Sequence, residues 1–309
     1  MKSKSLDLLI VGGGPAGLTA GIYASRSGLN ATIMDEGMCG GLAATSPWIE
    51  NYTGFAGISG TELMQKMREH AEKNTRIETG LHIDGIEKSG NIFVANTGKA
   101  SFDCGAIILA TGSRHKKLGA PGEEKFAGKG VSYCATCDGA FFRGKKVAIV
   151  GGGNNGATEA LYLRNLGIDV TLIHRRDKLR AEESLQSQMM KSGVKILFES
   201  VVDEICGQTK VSSLKIKNVN TDRAEELSFD GLFVSIGEEP NTKLAAQLDV
   251  KLRDDGCIET DRNQRTNVSN VYAAGDVTGG VRQIITACAQ GAVAALSAYE
   301  DLRTPYWKK

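Results

Sequence analysis

Proline is scarce in this chain. Five in 309 residues leave no Pro-rich linker and no low-complexity tail. No uninterrupted apolar run reaches the ~18 residues that a membrane span requires. The four histidines, at 70, 82, 115 and 174, are too scattered to complete a metal site, and no second CxxC accompanies the one at 134–137, so a structural zinc is disfavoured. Net charge is only +1, which favours neither nucleic acid nor an anionic membrane as a partner. The segment Met1–Asp7 is too short and polar to read as a secretory signal. Seven cysteines, at 39, 104, 134, 137, 206, 257 and 288, form an odd, dispersed set. That argues for a reducing, cytoplasmic setting and against a disulfide scaffold. The singletons read as small buried hydrophobes.

Glycine, by contrast, is abundant at 38 residues. It clusters in two loops, Gly12-Gly13-Gly14-Pro15-Ala16-Gly17 and Gly151-Gly152-Gly153-Asn154-Asn155-Gly156. Each follows a short apolar run (Leu9–Val11, Val147–Val150) and precedes a helical pattern (Ala16–Ser25, Ala157–Leu166). Glycines there permit the tight turn, the close approach of a pyrophosphate and helix–strand packing, with phosphate meeting the helix N-terminus. The two units repeat in register: Tyr23 matches Tyr162, Gly28 matches Gly167, Thr32 matches Thr171. The fold class expected is α/β, with two Rossmann-like three-layer dinucleotide-binding domains.

One position separates the two ligands. Asp35, with Glu36 beside it, stands where an acidic residue accepts ribose hydroxyls, which suits FAD or NAD. The matching position in the second unit is His174, followed by Arg175, Arg176 and Arg180. Guanidinium groups can clamp a 2′-phosphate bidentately, which suits NADPH. The competing reading of these arginines is a solvated basic loop; the matched offset favours the clamp.

Just ahead of the second loop lies Cys134-Ala135-Thr136-Cys137-Asp138-Gly139. Flavin accepts hydride and passes an electron pair to sulfur, so two nucleotide sites and a dithiol describe an electron relay. Only the thiolate attacks a disulfide, and a neighbouring sulfur resolves the mixed disulfide. Elsewhere the sequence predicts a helix over Thr61–Glu72, hairpin strands Ile92–Ala95 and Ser101–Cys104, and a separate buried strand Ala106–Leu109. Further strands are expected at Leu232–Ile236 and Val271–Ala274, with a last helix from about Arg282 to Leu302. The C-terminal segment has no glycine loop of its own, so it is expected to complete the first domain around an inserted second one. The expected boundaries are 1–115, 116–241 and 242–309.

Together these motifs, with Ala274-Gly275-Asp276-Val277 and Arg282-Gln283, closely resemble the low-molecular-weight thioredoxin reductases over nearly the whole chain. The resemblance implies FAD, NADPH, a homodimer and thioredoxin as partner. It implies that Cys137 faces the flavin, Cys134 is the interchange thiol and Asp138 manages the proton. Flavin contacts are implied at Gly12, Gly14, Pro15, Ala16, Gly17, Asp35, Glu36, Gly41, Leu42, Asn51, Thr111, Gly112, Asp276, Arg282, Gln283 and Ile284. Those to NADPH are implied at Gly151, Gly153, Asn154, Asn155, Gly156, His174, Arg175, Arg176 and Arg180. The dithiol shares the inserted domain with the nicotinamide site, so that domain is expected to rotate between half-reactions. Departures from the family pattern are Gly156 where Ala is frequent, Leu42 where Gln is frequent, and Ala140 in a place often aromatic. Phe141 and Phe142 read equally as partner contacts or as core. Other disulfide proteins or oxygen as the acceptor, and a nucleotide-binding redox sensor, are the competing functions.

Overall fold

The computed structural model describes residues 4–46, 49 and 51–304, without the side chains of Lys4, Thr136 and Cys137. The described chain forms two compact units. One holds the residues up to Arg114 and from Glu239 onward; the other is His115–Glu238. The chain passes between them on two short strands, Ser113–His115 and Glu238–Pro240, which pair with each other.

In the outer unit, the strand Lys4–Val11 lies between Ala31–Asp35 and Ala100–Leu109, all parallel. Leu8, Leu9 and Ile10 are fully buried, as expected of a parallel strand covered on both faces. The strand Val271–Ala273 returns to pair with Ala100–Leu109, placing Val271 beside Ile107. The helix Gly60–Glu72 begins where the Ser59 hydroxyl accepts the Glu62 N–H at 3.1 Å. The expected hairpin strand Ser101–Cys104 and buried strand Ala106–Leu109 are one continuous strand. Gly105 does not interrupt it, because this glycine lies against the Asp7 carbonyl, where a side chain would crowd the neighbouring strand.

Two helices, Pro15–Arg26 and Ile284–Arg303, cross at small residues. A Cβ on Gly291 would run into the Ala16 carbonyl. Gly291→Ala is therefore expected to destabilise the outer unit by about 2 kcal/mol through overpacking. Urea denaturation measures this, and an unchanged midpoint would show that the helices can part freely.

The inserted unit has three layers. Its parallel sheet runs Lys195–Leu197, Asp169–Ile173, Lys146–Val150, Gly231–Val234, Val131–Ser132. One face, with Val147, Ile149, Val170, Leu172 and Phe233, packs on Ala157, Ala160 and Leu163 of the helix Asn154–Asn165. The other, with Ala148, Ile173 and Leu232, packs on Val202, Ile205, Leu214 and Ile216. Those residues belong to an antiparallel sheet of Ser200–Gly207, Val211–Asn218 and Ala224–Ser228.

Candidate functional site

In the outer unit the first glycine loop is built by close backbone approach. Gly12 has φ 107°, and a Cβ there would strike the Ala110 carbonyl; one on Gly17 would strike the Gly12 carbonyl. Gly14 differs. It begins the helix Pro15–Arg26 with no side-chain cap, and the space beside its Cα is open. Uncapped helix amides facing open space form a cradle for a pyrophosphate. Gly41 sits against this cradle, with its Cβ direction 3.6 Å from the Gly14 Cα, and Leu42 follows in the same short turn.

Asp35 organises the loop. Its Oδ2 accepts the Gly13 N–H at 2.6 Å, and its Oδ1 accepts those of Gly37 at 2.8 Å and Cys39 at 3.3 Å. A carboxylate has about four acceptor directions, so Oδ2 can still take a ribose hydroxyl. Glu36 is exposed and pairs with the imidazole of His82 at 2.8 Å. Thr111 donates to the Asn241 carbonyl at 2.7 Å, and the Asn241 amide donates back to the Thr111 carbonyl at 2.9 Å, fixing the turn at Gly112. The Asn51 amide donates to Gln283 at 2.9 Å, and Gln283 caps the helix beginning at Ile284 through a reciprocal bond with Thr286. Gly275 packs against Ala16, so Asp276 follows directly beside the first loop. The Arg282 guanidinium reaches the Cys257 sulfur at 3.8 Å.

The inserted unit repeats the design. A Cβ on Gly151 would strike the Ser235 carbonyl, and one on Gly156 would strike the Gly151 carbonyl, whereas Gly153 opens an uncapped helix onto free space. Arg180 and Ala181 donate their N–H groups to the Gly152 carbonyl at 2.7 and 3.1 Å, tying the arginine segment to the loop. The Asn154 amide and the Glu182 backbone and side chain bond reciprocally at 2.9–3.0 Å, closing the same connection. Arg175, Arg176 and Arg180 are exposed, and none forms an ion pair among the described residues.

His174 is placed differently from the arginines. It is 6% exposed and lies over Gly152. Its Nε2 meets the Lys178 carbonyl at 3.0 Å, an acceptor only, so Nε2 carries the proton and Nδ1 faces the loop. Burial, together with the three arginines, lowers its pKa and keeps the ring neutral. The imidazole therefore shapes the loop from below.

One residue that the sequence did not single out is Glu159, on the helix that follows this loop. Ser235 donates to its carboxyl, but Oε2 has no partner among the described residues. Burial pushes its pKa up from 4.5 to about 7. Between those values the folded protein keeps a proton that the unfolded chain has released, so stability falls as pH rises through that window. Relative to wild type, Glu159→Gln is expected to gain up to about 3 kcal/mol at pH 8 compared with pH 4. Urea denaturation at both pH values tests this; an equal difference at both would show that the carboxylate ionises without cost.

The CxxC turn packs on this same helix. Ala135 is fully buried, and Gly139 lies against Leu163, where a side chain would collide. Cys134 is disulfide-bonded, whereas Cys39, Cys104, Cys206, Cys257 and Cys288 are free. The side chain of Cys137 lies outside the described residues. The Cys134 N–H donates to the Ser132 hydroxyl at 3.1 Å, and the Asp138 N–H donates to the Cys134 carbonyl at 3.2 Å. The two aromatics differ in burial. Phe142 is buried edge-on against Phe233 with ring centroids 5.3 Å apart, whereas Phe141 is 73% exposed. Of the free thiols, Cys104, Cys257 and Cys288 are buried, but Cys39 and Cys206 are only half-buried. No metal-binding cluster occurs among the described residues, and no helix there is long and apolar enough to cross a membrane.

Two open glycine cradles, each at the end of a parallel strand, and a CxxC turn packed on the helix of the second define a disulfide oxidoreductase that works with dinucleotides. Comparison with known proteins agrees. The model of the pyridine nucleotide-disulphide oxidoreductase family matches residues 6–291. Thioredoxin reductase of Coxiella burnetii (strain RSA 493 / Nine Mile phase I) is 41% identical over 312 residues, covering 96% of each chain. The crystal structure of Lactococcus lactis thioredoxin reductase superposes with a TM-score of 0.87 at 40% identity, covering 97% of this chain and 100% of that one. That of T. acidophilum thioredoxin reductase gives 0.86 at 39%, covering 97% and 99%. The chain belongs to the pyridine nucleotide-disulphide oxidoreductase family, and within it to the low-molecular-weight thioredoxin reductases.

Proposed function

We propose that the chain is an NADPH-dependent thioredoxin-disulfide reductase, with FAD in the outer unit, NADPH in the inserted unit and Cys134/Cys137 as the working pair. The observation that carries this reading is the CxxC turn seated on the helix of the second glycine loop, which puts a disulfide in the same unit as a nucleotide cradle. The open ground at Gly14 and Gly153 fits a pyrophosphate in each unit. FAD, when bound, links two-electron donation by a nicotinamide to the reduction of a disulfide.

Within the chain, Gly14, Pro15, Ala16 and Gly17 hold the flavin pyrophosphate, and Asp35 holds the adenosine ribose. Gly41, Asn51, Thr111–Gly112, Asp276 and Arg282–Ile284 complete that site. Gly153, Asn155 and Gly156 hold the NADPH pyrophosphate, and Arg175, Arg176 and Arg180 take the 2′-phosphate. In the reduced pair, the Cys134 thiolate attacks the thioredoxin disulfide. A mixed disulfide forms, and one thioredoxin sulfur departs as thiolate and takes a proton, which Asp138 relays. Cys137 then attacks Cys134, restoring the intramolecular disulfide and releasing the second thioredoxin thiolate, so two electrons pass to the partner. Exposed Phe141 supports docking of that partner beside the pair. The inserted unit rotates so that dithiol and nicotinamide take turns at the flavin; a crosslink between the units stops turnover, and full activity of the crosslinked form refutes the rotation. The enzyme acts as a cytoplasmic homodimer.

Anaerobic titration of the flavoprotein with NADPH, followed by oxidised thioredoxin, tests the whole reading. Flavin absorbance is expected to bleach with NADPH and to recover with thioredoxin over many turnovers. A single recovery without turnover would mark a redox sensor. No bleaching by NADPH of a flavin that dithionite reduces would overturn the assignment of the arginines.

A further inference from the structure

The inserted unit buries a second carboxylate that the reaction above does not use. Glu123 is 3% exposed, yet both of its oxygens are hydrogen-bonded. Oε1 accepts the Leu118 N–H and the Tyr133 hydroxyl, both at 2.8 Å, and Oε2 accepts the Gly119 N–H at 2.7 Å. None of the three donors is a cation. Enclosing a carboxylate is costly, and an apolar residue of similar volume often serves the fold as well or better. Burying a carboxyl group here therefore calls for a reason beyond filling space.

The donors supply one. Leu118 and Gly119 belong to the segment on which the chain enters the inserted unit, whereas Tyr133 immediately precedes Cys134. The ring of Tyr133 also stacks on His115, with centroids 6.1 Å apart and planes 16° from parallel. Burial and then the Glu123 bond raise the Tyr133 pKa, so the phenol stays a donor throughout the physiological range. Beyond Tyr133, the Cys134 N–H is fixed by Ser132. One carboxylate thus joins the entry segment to the residue that carries the interchange thiol.

We propose that Glu123 is a positioning residue for the dithiol: through Tyr133 it locks the entry segment 115–119 and the Cys134 backbone into one rigid piece, holding Cys134 in register for attack on the partner disulfide. The proposal rests on the dithiol function argued above. A small misplacement of a reacting group can cost as much as 10²-fold in rate. The lock affects steps that pass through the dithiol and leaves electron removal directly from the flavin untouched.

The test compares two acceptors in the flavin-loaded enzyme: oxidised thioredoxin, which needs the dithiol, and ferricyanide, which drains reduced flavin without it. A Cys134→Ser/Cys137→Ser variant sets the dithiol-independent rate. Tyr133→Phe removes only the arm to Cys134 and leaves both backbone bonds to Glu123. It is expected to lower kcat with thioredoxin about tenfold, with ferricyanide turnover and Tm close to wild type. Glu123→Gln, which also misplaces a donor against the Gly119 N–H, is expected to lower thioredoxin turnover further. Wild-type thioredoxin turnover in Tyr133→Phe would overturn the proposal and leave Glu123 a fold staple, as would a parallel loss of both activities. A wild-type enzyme that reduces ferricyanide but never thioredoxin would instead overturn the proposed function, and the positioning role with it.

Discussion

Replacing Cys134 by serine is expected to lower thioredoxin turnover by more than about a thousandfold while NADPH still bleaches the flavin. The sulfur has to act as an anion. A thiol holds a useful thiolate fraction near neutral pH, whereas a serine hydroxyl does not. Cys39 and Cys104 offer no substitute. Burial pushes Cys39 up to about 11 and Cys104 up to about 12, so neither supplies a thiolate at working pH. Cys137→Ser is expected to give a different failure: a covalent mixed disulfide with thioredoxin, because the attacking sulfur remains and the resolving one is gone. Mass spectrometry of the stalled species separates the two roles. A stable adduct through the Cys137 sulfur in Cys134→Ser, and none in Cys137→Ser, would reverse the assignment.

The second large effect concerns cofactor choice. Replacing Arg175, Arg176 and Arg180 together by alanine is expected to raise KM for NADPH about a hundredfold, equivalent to ~3 kcal/mol, with KM for NADH within about twofold of wild type. Hydrogen bonds to a charged phosphate carry most of that difference, and the exposure of the three side chains moderates it. Their backbone course explains why the loss is selective. The Arg180 N–H, which the substitution keeps, still fastens the segment to Gly152. The wild-type advantage for NADPH is also expected to shrink as ionic strength rises, because these groups face solvent. Equal losses for both nucleotides would mean that the segment serves the loop's shape alone.

What the sequence disclosed, and what it withheld, follows from the range of the forces involved. The glycine loops are legible because their demands are local: a positive φ at Gly12 and at Gly151, and a close carbonyl at Gly17 and at Gly156. The strands and helices beside them followed from apolar runs and register. The sequence presents the strand Ala100–Leu109 as two pieces because Gly105 looks like a break until the Asp7 carbonyl beside it is known. The antiparallel sheet at Ser200–Ser228 is not legible in the sequence although Val202, Ile205, Val211, Leu214 and Ile216 are among its buried residues. Register shifts at Val202/Glu204 and Cys206/Gly207 leave Val202 and Ile205, and Val211 and Leu214, three positions apart, which breaks the alternation. Glu123 and Glu159 were invisible for a deeper reason. Nothing in their neighbours' identity marks a carboxylate as buried; that arises only when distant segments close over it. For His174 the position was legible and the orientation was not.

The order in which the chain leaves the ribosome gives the return strand Val271–Ala273 a further meaning. The inserted unit draws its sheet from one unbroken stretch, His115–Glu238, so its contacts can form as soon as that stretch has emerged. The outer sheet cannot finish then. Val271 must still arrive beside Ile107, and Gly291 must still seat against Ala16. During synthesis the first glycine loop therefore waits, half-walled, while the second is already complete. With the flavin held in the outer unit as proposed, its capture is expected to follow the folding of the inserted unit.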